Sequence, residues 1–340
     1  MTKVVVLVTN SINTSYGGIG PFVKNLDVHL SEYYDLDYIT LPDYFDNITI
    51  VPHRFLYFMY MFFNYFKLRK YDMVISHSHE GAYACSIFGR PFIHVYHGND
   101  NPVSVSRFWY GKYFISLFNH ATKMISEKSL IGYTVGKEEV GRKKILNPIS
   151  HDISQKDFSE RSGFIFAGRL EKGKRVELIL ESYALLPAEI KESNKLKIAG
   201  KGSQLEFLQE KVNELKLNKN VEFLGILDNR SLIEQISKSK IFLMASGFEG
   251  FPMVIAEAFS VGVPSVSTDV GDIPRFLKSG ENGMLVEKDF KFLDFANAVQ
   301  KILENYEHFA SNAFEAGKLF DAKKIATDLV KDINTLIEAK

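Results

Sequence analysis

Two glutamates eight residues apart stand in the segment Ala245-Ser-Gly-Phe-Glu249-Gly-Phe-Pro-Met-Val-Ile-Ala-Glu257-Ala. An apolar run at 241–245 precedes them and reads as a strand, and Pro252 suits the first turn of a following helix. Glu249 then falls in the connecting loop and Glu257 inside the helix, among Val254, Ile255, Ala256, Ala258 and Phe259. A carboxylate in such apolar company is costly to bury unless it is paired or hydrogen-bonded. The hydroxyl pairs of a ribose or hexose would satisfy it, because a carboxylate accepts two hydrogen bonds at once. Taken singly, either glutamate also reads as a cap or an ion-pair partner.

Cations and glycines complete the candidate chemistry. Ala167-Gly-Arg169-Leu-Glu-Lys-Gly-Lys174 follows another apolar run. Arg169 as a fork and Lys174 as a point charge suit a diphosphate, and a solvated turn before a helix is the plainer reading. Near the start, Val4–Val8 leads into Tyr16-Gly17-Gly18-Ile-Gly-Pro21, with a helix expected to open at Pro21. Glycines let a backbone approach an anion and a helix start offers free N–H groups, but the dinucleotide fingerprint is absent and a simple turn explains the segment equally. Asp35-Leu-Asp37 has the D-x-D form that can hold a metal; placed just before Tyr38-Ile-Thr-Leu, an expected second strand, it reads as a solvated strand edge.

The elements that must position these residues are short apolar strands alternating with segments of helical period. Val4–Val8, Met73–Ser76, Phe92–Tyr96 and Met124–Ser126 are the strands expected in the first half. Phe164–Ala167, Leu196–Ala199, Val221–Leu224, Ile241–Ala245 and Ser265–Thr268 repeat the theme in the second, with helices over 173–186, 203–215, 229–238, 290–304 and from about 322 onward. Such alternation predicts α/β architecture with parallel sheets covered on both faces. A chain of 340 residues has room for two such domains. The polar stretch 147–162 marks the seam, giving domains 1–150 and 151–320 and a terminal helix over 321–340 expected to pack back on the first. Ligands of open α/β sheets bind beyond the carboxyl ends of the strands, so two facing domains predict a cleft site. Formal net charge is zero, which argues against nucleic acid as the main partner. The single Cys85 allows no internal disulfide, and no apolar run is long enough to span a bilayer, so a cytoplasmic chain is expected.

The block Phe164–Glu287 resembles the C-terminal domain of the retaining glycosyltransferase family 4, which has the GT-B fold of two Rossmann-like domains. Matching pieces are Ala167-Gly-Arg-Leu-Glu-Lys-Gly-Lys, Ile198-Ala-Gly-Lys-Gly, Val221-Glu-Phe-Leu-Gly225 and the pair Glu249 and Glu257. Ala258-Phe-Ser-Val-Gly-Val-Pro-Ser-Val-Ser-Thr, Gly271 and Asn282-Gly-Met-Leu-Val follow in order. The first half matches more loosely, through Gly17-Gly18, Tyr71-Asp-Met-Val-Ile-Ser-His77 and Val95-Tyr-His97-Gly.

The resemblance implies that Glu249 binds hydroxyls of the donor sugar and Glu257 the ribose of its nucleotide. It implies that Arg169 and Lys174 hold the diphosphate, with Gly17 and Gly18 closing over it. The backbone of Phe251, Pro252, Met253 and Val254 would contact sugar and phosphate, Gly225 and Ile226 would lie beside the base, and His97 would assist transfer. Pro252 is a departure, since glycine is commoner there and proline removes one N–H. Asn147-Pro148-Ile149 is another, where Asn-Gly-Val is usual. The implied reaction is transfer of a hexose or N-acetylhexosamine, with retention, from a UDP-sugar to a glycan or lipid-linked acceptor, as in bacterial surface polysaccharide synthesis. Fixed cations would take the place of a metal, and no other cofactor is implied. A sugar-nucleotide epimerase, another GT-B enzyme or a GDP-mannose-dependent mannosyltransferase are the alternatives.

Two aromatic and basic segments remain. Residues 54–70 hold Phe-Leu-Tyr-Phe-Met-Tyr-Met-Phe-Phe-Asn-Tyr-Phe with four cations and no acid, and 106–118 contains the only Trp. Each reads either as a core helix of the first domain or as a face for an anionic membrane, which would make the chain peripheral on the inner leaflet.

Overall fold

The computed structural model describes residues 1–9, 19–42, 45, 53–97, 115–135, 140–150, 158–249 and 252–338. The chain divides into two compact units, Met1–Ser150 with Ala322–Lys340, and His151–Asp321.

Unit one carries a six-stranded sheet of β1 (Thr2–Leu7), β2 (Tyr34–Ile39), β3 (Met73–Ser76), β4 (Phe92–Tyr96), β5 (Ile131–Thr134) and β6 (Arg142–Lys144). Its order is β2-β1-β3-β4-β5-β6, and every pairing is parallel. The strands alternate between two apolar layers. Val4 and Val6 face a layer with Phe22, Val23 and Leu26 of α1 (Ile19–Leu30), while Val5 and Leu7 face Tyr57 and Met61 of α2 (His53–Asn64). Both faces are therefore covered, which is why the inner strands β1, β3 and β4 read as apolar runs. The second layer also takes residues of α3 (His79–Ile87) and α4 (Ile115–Lys128).

Three expectations for this unit are corrected. Met124–Ser126 is not a strand but lies in α4, where Ala121 and Ile125, one helical turn apart, are the buried residues. The strand comes later, at Ile131–Thr134. The first helix opens at Ile19 rather than Pro21, which lies within the first turn, where a missing N–H costs nothing. Asp35-Leu-Asp37 lies inside β2 rather than before it. Because β2 is the sheet edge, both aspartates are exposed, and Asp37 accepts from Tyr71 Oη at 2.7 Å.

Unit two carries the second parallel sheet, of β7 (Phe164–Ala167), β8 (Leu196–Ala199), β9 (Val221–Gly225), β10 (Ile241–Met244), β11 (Ser265–Thr268) and β12 (Gly283–Val286). Its order, β12-β11-β10-β7-β8-β9, is the doubly wound order with its switch between β7 and β10. Helices α5 (Val176–Ala184), α6 (Ala188–Ser193), α7 (Leu205–Glu214), α8 (Asn229–Ser237), α9 (Met253–Ser260), α10 (Ile273–Phe276), α11 (Phe292–Glu304) and α12 (Tyr306–Gly317) connect the strands and close the unit. Phe164, Phe166, Leu180, Leu196, Ile198 and Phe295 are among its fully buried core residues.

The last helix, α13 (Ala322–Glu338), packs on α1 within unit one and lends Ile325, Leu329, Val330 and Ile333 to its core. Tyr34 Oη donates to Asn334 Oδ1 at 2.8 Å, and Lys143 Nζ lies 2.6 Å from Asp332 Oδ1. Among the described residues, no helix is long and apolar enough to cross a membrane.

Candidate functional site

The switch between β7 and β10 sets the loops after these two strands side by side, and they carry Arg169, Lys174 and Glu249. Lys174 ends a short 3-10 turn, Lys172–Lys174, and its Nζ forms a close ion pair with Glu249 Oε1. Both side chains are largely buried, so the pair is shielded from solvent screening. The main chain links the two loops as well, with Gly247 N donating to Gly173 O at 2.9 Å. Arg169 stands exposed on the same β7 loop.

The β7 loop rests on backbone from the next strand. Leu170 N donates to Lys201 O and Gln204 N to Leu170 O, each at 2.9 Å. Any Cβ on Gly200, at φ +137°, would lie 1.9 Å from Gly168 O, and one on Gly202 would lie 2.3 Å from Leu170 O. Only glycine allows that approach. The Ala199-Gly-Lys-Gly202 motif thus holds the Arg169 loop in place.

Pro252 is the N-cap of α9 rather than a first-turn residue, and its side chain makes no capping bond. The opening N–H groups of Met253 and Val254 therefore lack a side-chain cap, which is the setting in which a helix start receives an anion. Glu257 lies one turn further in and is only 7% exposed. Burial pushes its carboxyl up to about 7. Among the described residues no side chain pairs with it, so the ion-paired reading of Glu257 has no support. Glu249 is the reverse case, an ion-paired glutamate. Gly225 ends the edge strand β9 at φ +67°, and the neighbouring Ile226 is exposed.

In unit one, His97 follows β4 and its Nε2 lies 2.8 Å from Nδ1 of His77, which follows β3. The His97 ring meets Phe22 edge-on, with centroids 4.7 Å apart. Lost hydration pushes the His97 imidazole down to about 3 and holds His77 well below its usual value. Both rings are neutral at pH 7, so one nitrogen of the pair donates and the other accepts. Gly17, Gly18 and Phe251 lie outside the described residues, as does 106–114 of the second aromatic segment.

Two residues with clear structural roles have no role in the sequence reading. His77 is quoted there only as part of a matching stretch, and nothing in its position along the chain reveals a partner twenty residues away. Arg175 follows Lys174 directly, but its left-handed backbone and its reach to the β10 loop are legible only in three dimensions.

Residues 151–338, more than half of the chain, match the family description Glycosyl transferases group 1. The chain belongs to that family. Among curated relatives, this group 1 member is 32% identical over 198 residues to a Campylobacter jejuni enzyme, N-acetylgalactosamine-N,N'-diacetylbacillosaminyl-diphospho-undecaprenol 4-alpha-N-acetylgalactosaminyltransferase, covering 57% of this chain and 50% of the relative. It is 26% identical over 313 residues to the O-antigen biosynthesis glycosyltransferase WbnH of Escherichia coli, covering 85% and 86%. The chain thus spans half the length of the first relative and most of the second. Anabaena HepE, solved in complex with UDP and glucose, superposes with a TM-score of 0.71 at 16% identity, covering 98% of this chain and all of that one. Sucrose-phosphate synthase from Thermosynechococcus elongatus superposes with a TM-score of 0.75 at 17% identity over the whole of both chains. The two parallel α/β sheets of this family member are those of the GT-B fold.

Proposed function

We propose that this chain is a retaining glycosyltransferase that moves a hexose or N-acetylhexosamine from a UDP-sugar to a glycan or lipid-linked acceptor in surface polysaccharide synthesis. The single observation that carries this reading is the pairing of Lys174 with Glu249 at the switch of unit two. A cation for the leaving diphosphate and a carboxylate for sugar hydroxyls are already in contact there. When a donor binds, Lys174 turns from Glu249 to the diphosphate and Glu249 turns to hydroxyl donors. Arg169, exposed on the same loop, supplies the second cation, and the uncapped start of α9 supplies N–H groups. Cleavage of the anomeric bond builds negative charge on the diphosphate, and fixed donors aimed at that charge lower the barrier. These cations serve in place of a metal. The departing phosphate takes the proton of the attacking acceptor hydroxyl on the same face, so neither glutamate acts as a base. Glu257 receives the ribose hydroxyls, Gly225 and Ile226 flank the base, and neutral His97 assists transfer as a hydrogen-bond partner.

UDP is favoured over GDP because HepE, a structural neighbour, was solved with UDP and with UDP-glucose. A lipid-linked acceptor is favoured by the names of the Campylobacter relatives, which act on diphospho-undecaprenol-linked sugars. A thermal-shift screen of UDP- and GDP-sugars tests the donor assignment. A true donor at a hundredfold its Kd adds about 2.7 kcal/mol of stability. If no nucleotide-sugar moves the melting temperature, the donor reading falls.

The membrane reading rests on α2 and the turn Tyr65–Lys70. Tyr57, Met61 and Leu68 face the core, whereas Phe55, Phe62, Phe63 and Phe66 are exposed beside exposed Lys67 and Arg69. The segment is thus core on one side and apolar and basic on the other. That mixture suits a peripheral seat on anionic lipid, where a lipid-linked acceptor would be presented.

A further inference from the structure

Arg175 adopts φ +50°, the left-handed region in which an L side chain crowds its own backbone. It joins the turn Lys172–Lys174 to α5, as C-cap of one and N-cap of the other. Glycine takes this conformation without penalty, so an arginine here needs compensation from its side chain. The compensation goes to backbone oxygens at the end of β10 and just after β12. Arg175 Nε donates to Ala245 O at 2.7 Å, and Nη2 donates to Lys288 O at 2.7 Å and Ser246 O at 3.4 Å. Nη1 lies 3.5 Å from Asp289 Oδ1, but that aspartate is 88% exposed and the pair adds little. Ala245 and Ser246 are the last residues before the Gly247–Glu249 turn, and Thr268 Oγ1 donates to the same Ser246 oxygen at 2.7 Å.

We infer that Arg175 is a positioning residue for Glu249, fixing the carboxyl end of β10 so that Glu249 meets Lys174. The guanidinium fork presents several donors in one plane, and here it joins the β10 end to the segment after β12. Lys174 is the preceding residue, so the same backbone joint places both partners of the pair. What Glu249 then does for the donor rests on the function proposed above. A residue kept only for helix stability would sit better as glycine at this φ and would have no reason to bind the loop that carries Glu249.

The test compares the full-length chain with Arg175→Gly, Arg175→Lys, Glu249→Ala and the double variant Arg175→Gly/Glu249→Ala. Turnover of a UDP-sugar, melting temperature and amide exchange of the 245–249 segment are measured for each. Arg175→Gly is expected to lower kcat about thirtyfold, with KM for the UDP-sugar changed less than about threefold, because the nucleotide keeps Glu257 and the start of α9. Relief of the left-handed strain offsets part of the lost bonds, so the melting temperature should fall by only about 2–4 °C. Exchange at 245–249 should rise. Arg175→Lys should not rescue kcat, since one ammonium cannot replace the planar fork. On the Glu249→Ala background, Arg175→Gly should cost less than about threefold more, the non-additivity of residues acting through one another. Equal losses on both backgrounds would overturn the inference, as would wild-type turnover and exchange in Arg175→Gly. Should that variant unfold, Arg175→Asn, which tolerates the left-handed region, takes its place with the same outcomes. If the wild-type chain uses neither UDP- nor GDP-sugars, the donor reading fails by itself. Exchange then decides alone, and an unchanged 245–249 segment in Arg175→Gly overturns the inference.

Discussion

At the scale of single residues, the two glutamates sit in opposite electrostatic settings. Glu249 lies largely buried against Lys174, while Glu257 is buried without a partner among the described residues and burial pushes its carboxyl up to about 7. The ordinary carboxyl value is 4.5 and the folded one is raised, so the folded chain holds this proton more tightly than the unfolded chain. Its contribution is fully present below pH 4.5 and is lost as pH rises through 7, amounting to about 3 kcal/mol at most. Glu257→Gln should therefore raise the melting temperature of the ligand-free chain at pH 8 while weakening UDP binding. Calorimetry at pH 6 and pH 8 checks this, and UDP affinity of the wild type should rise with pH as ribose hydroxyls reward the ionised carboxylate. The His97–His77 pair gives a complementary expectation. With His97 pushed down to about 3, a pH–rate profile should show no limb from this histidine between pH 5.5 and 8, values that bracket the ordinary imidazole range. An inflection near 6.5 that disappears in His97→Gln would contradict a neutral pair.

At the scale of elements, α2 carries the sharpest expectation. Replacing Phe55, Phe63 and Phe66 with Ser should leave the fold intact, because these rings are exposed and Tyr57, Met61 and Leu68 do the packing. Co-sedimentation with vesicles of anionic lipid should then drop from most of the chain bound to little, since each inserted ring is worth roughly 1.5–3 kcal/mol. Wild-type protein that stays in the supernatant would remove the membrane reading. The strands were largely legible in the sequence for a physical reason. Buried parallel strands such as Phe164–Ala167 and Leu196–Ala199 have no polar face, so composition alone marks them. Met124–Ser126 misled because a two-residue apolar run flanked by helical spacing can be read either way, and the buried Ala121 and Ile125 show that the helical period wins. The two loops carrying Arg169 with Lys174 and Glu249 could be placed at strand ends from sequence. The ion pair between them could not, since the order of β7 and β10 in the sheet brings together residues 75 apart. Nor could the left-handed Arg175, because nothing in its residue type announces a positive φ.

At the scale of the whole molecule, the family match and the two parallel sheets define a GT-B glycosyltransferase-family chain whose last helix belongs to its first unit. Removing Ala322–Lys340 strips Ile325, Leu329, Val330 and Ile333 from the core over α1. At roughly 1.5–3 kcal/mol for each large side chain, the loss rivals the whole stability of a domain. The truncated chain should show one lost or strongly lowered melting transition while unit two still melts cooperatively, readable by calorimetry. The central claim, that Glu249 serves a nucleotide-sugar donor, is tested most directly by single-turnover transfer from a panel of UDP- and GDP-sugars with wild type and Glu249→Ala side by side. One UDP-sugar is expected to be consumed by the wild type, and Glu249→Ala, assayed well below its melting temperature, should be slower by about 100-fold or more. Near-equal rates for the two proteins on that donor would contradict the claim.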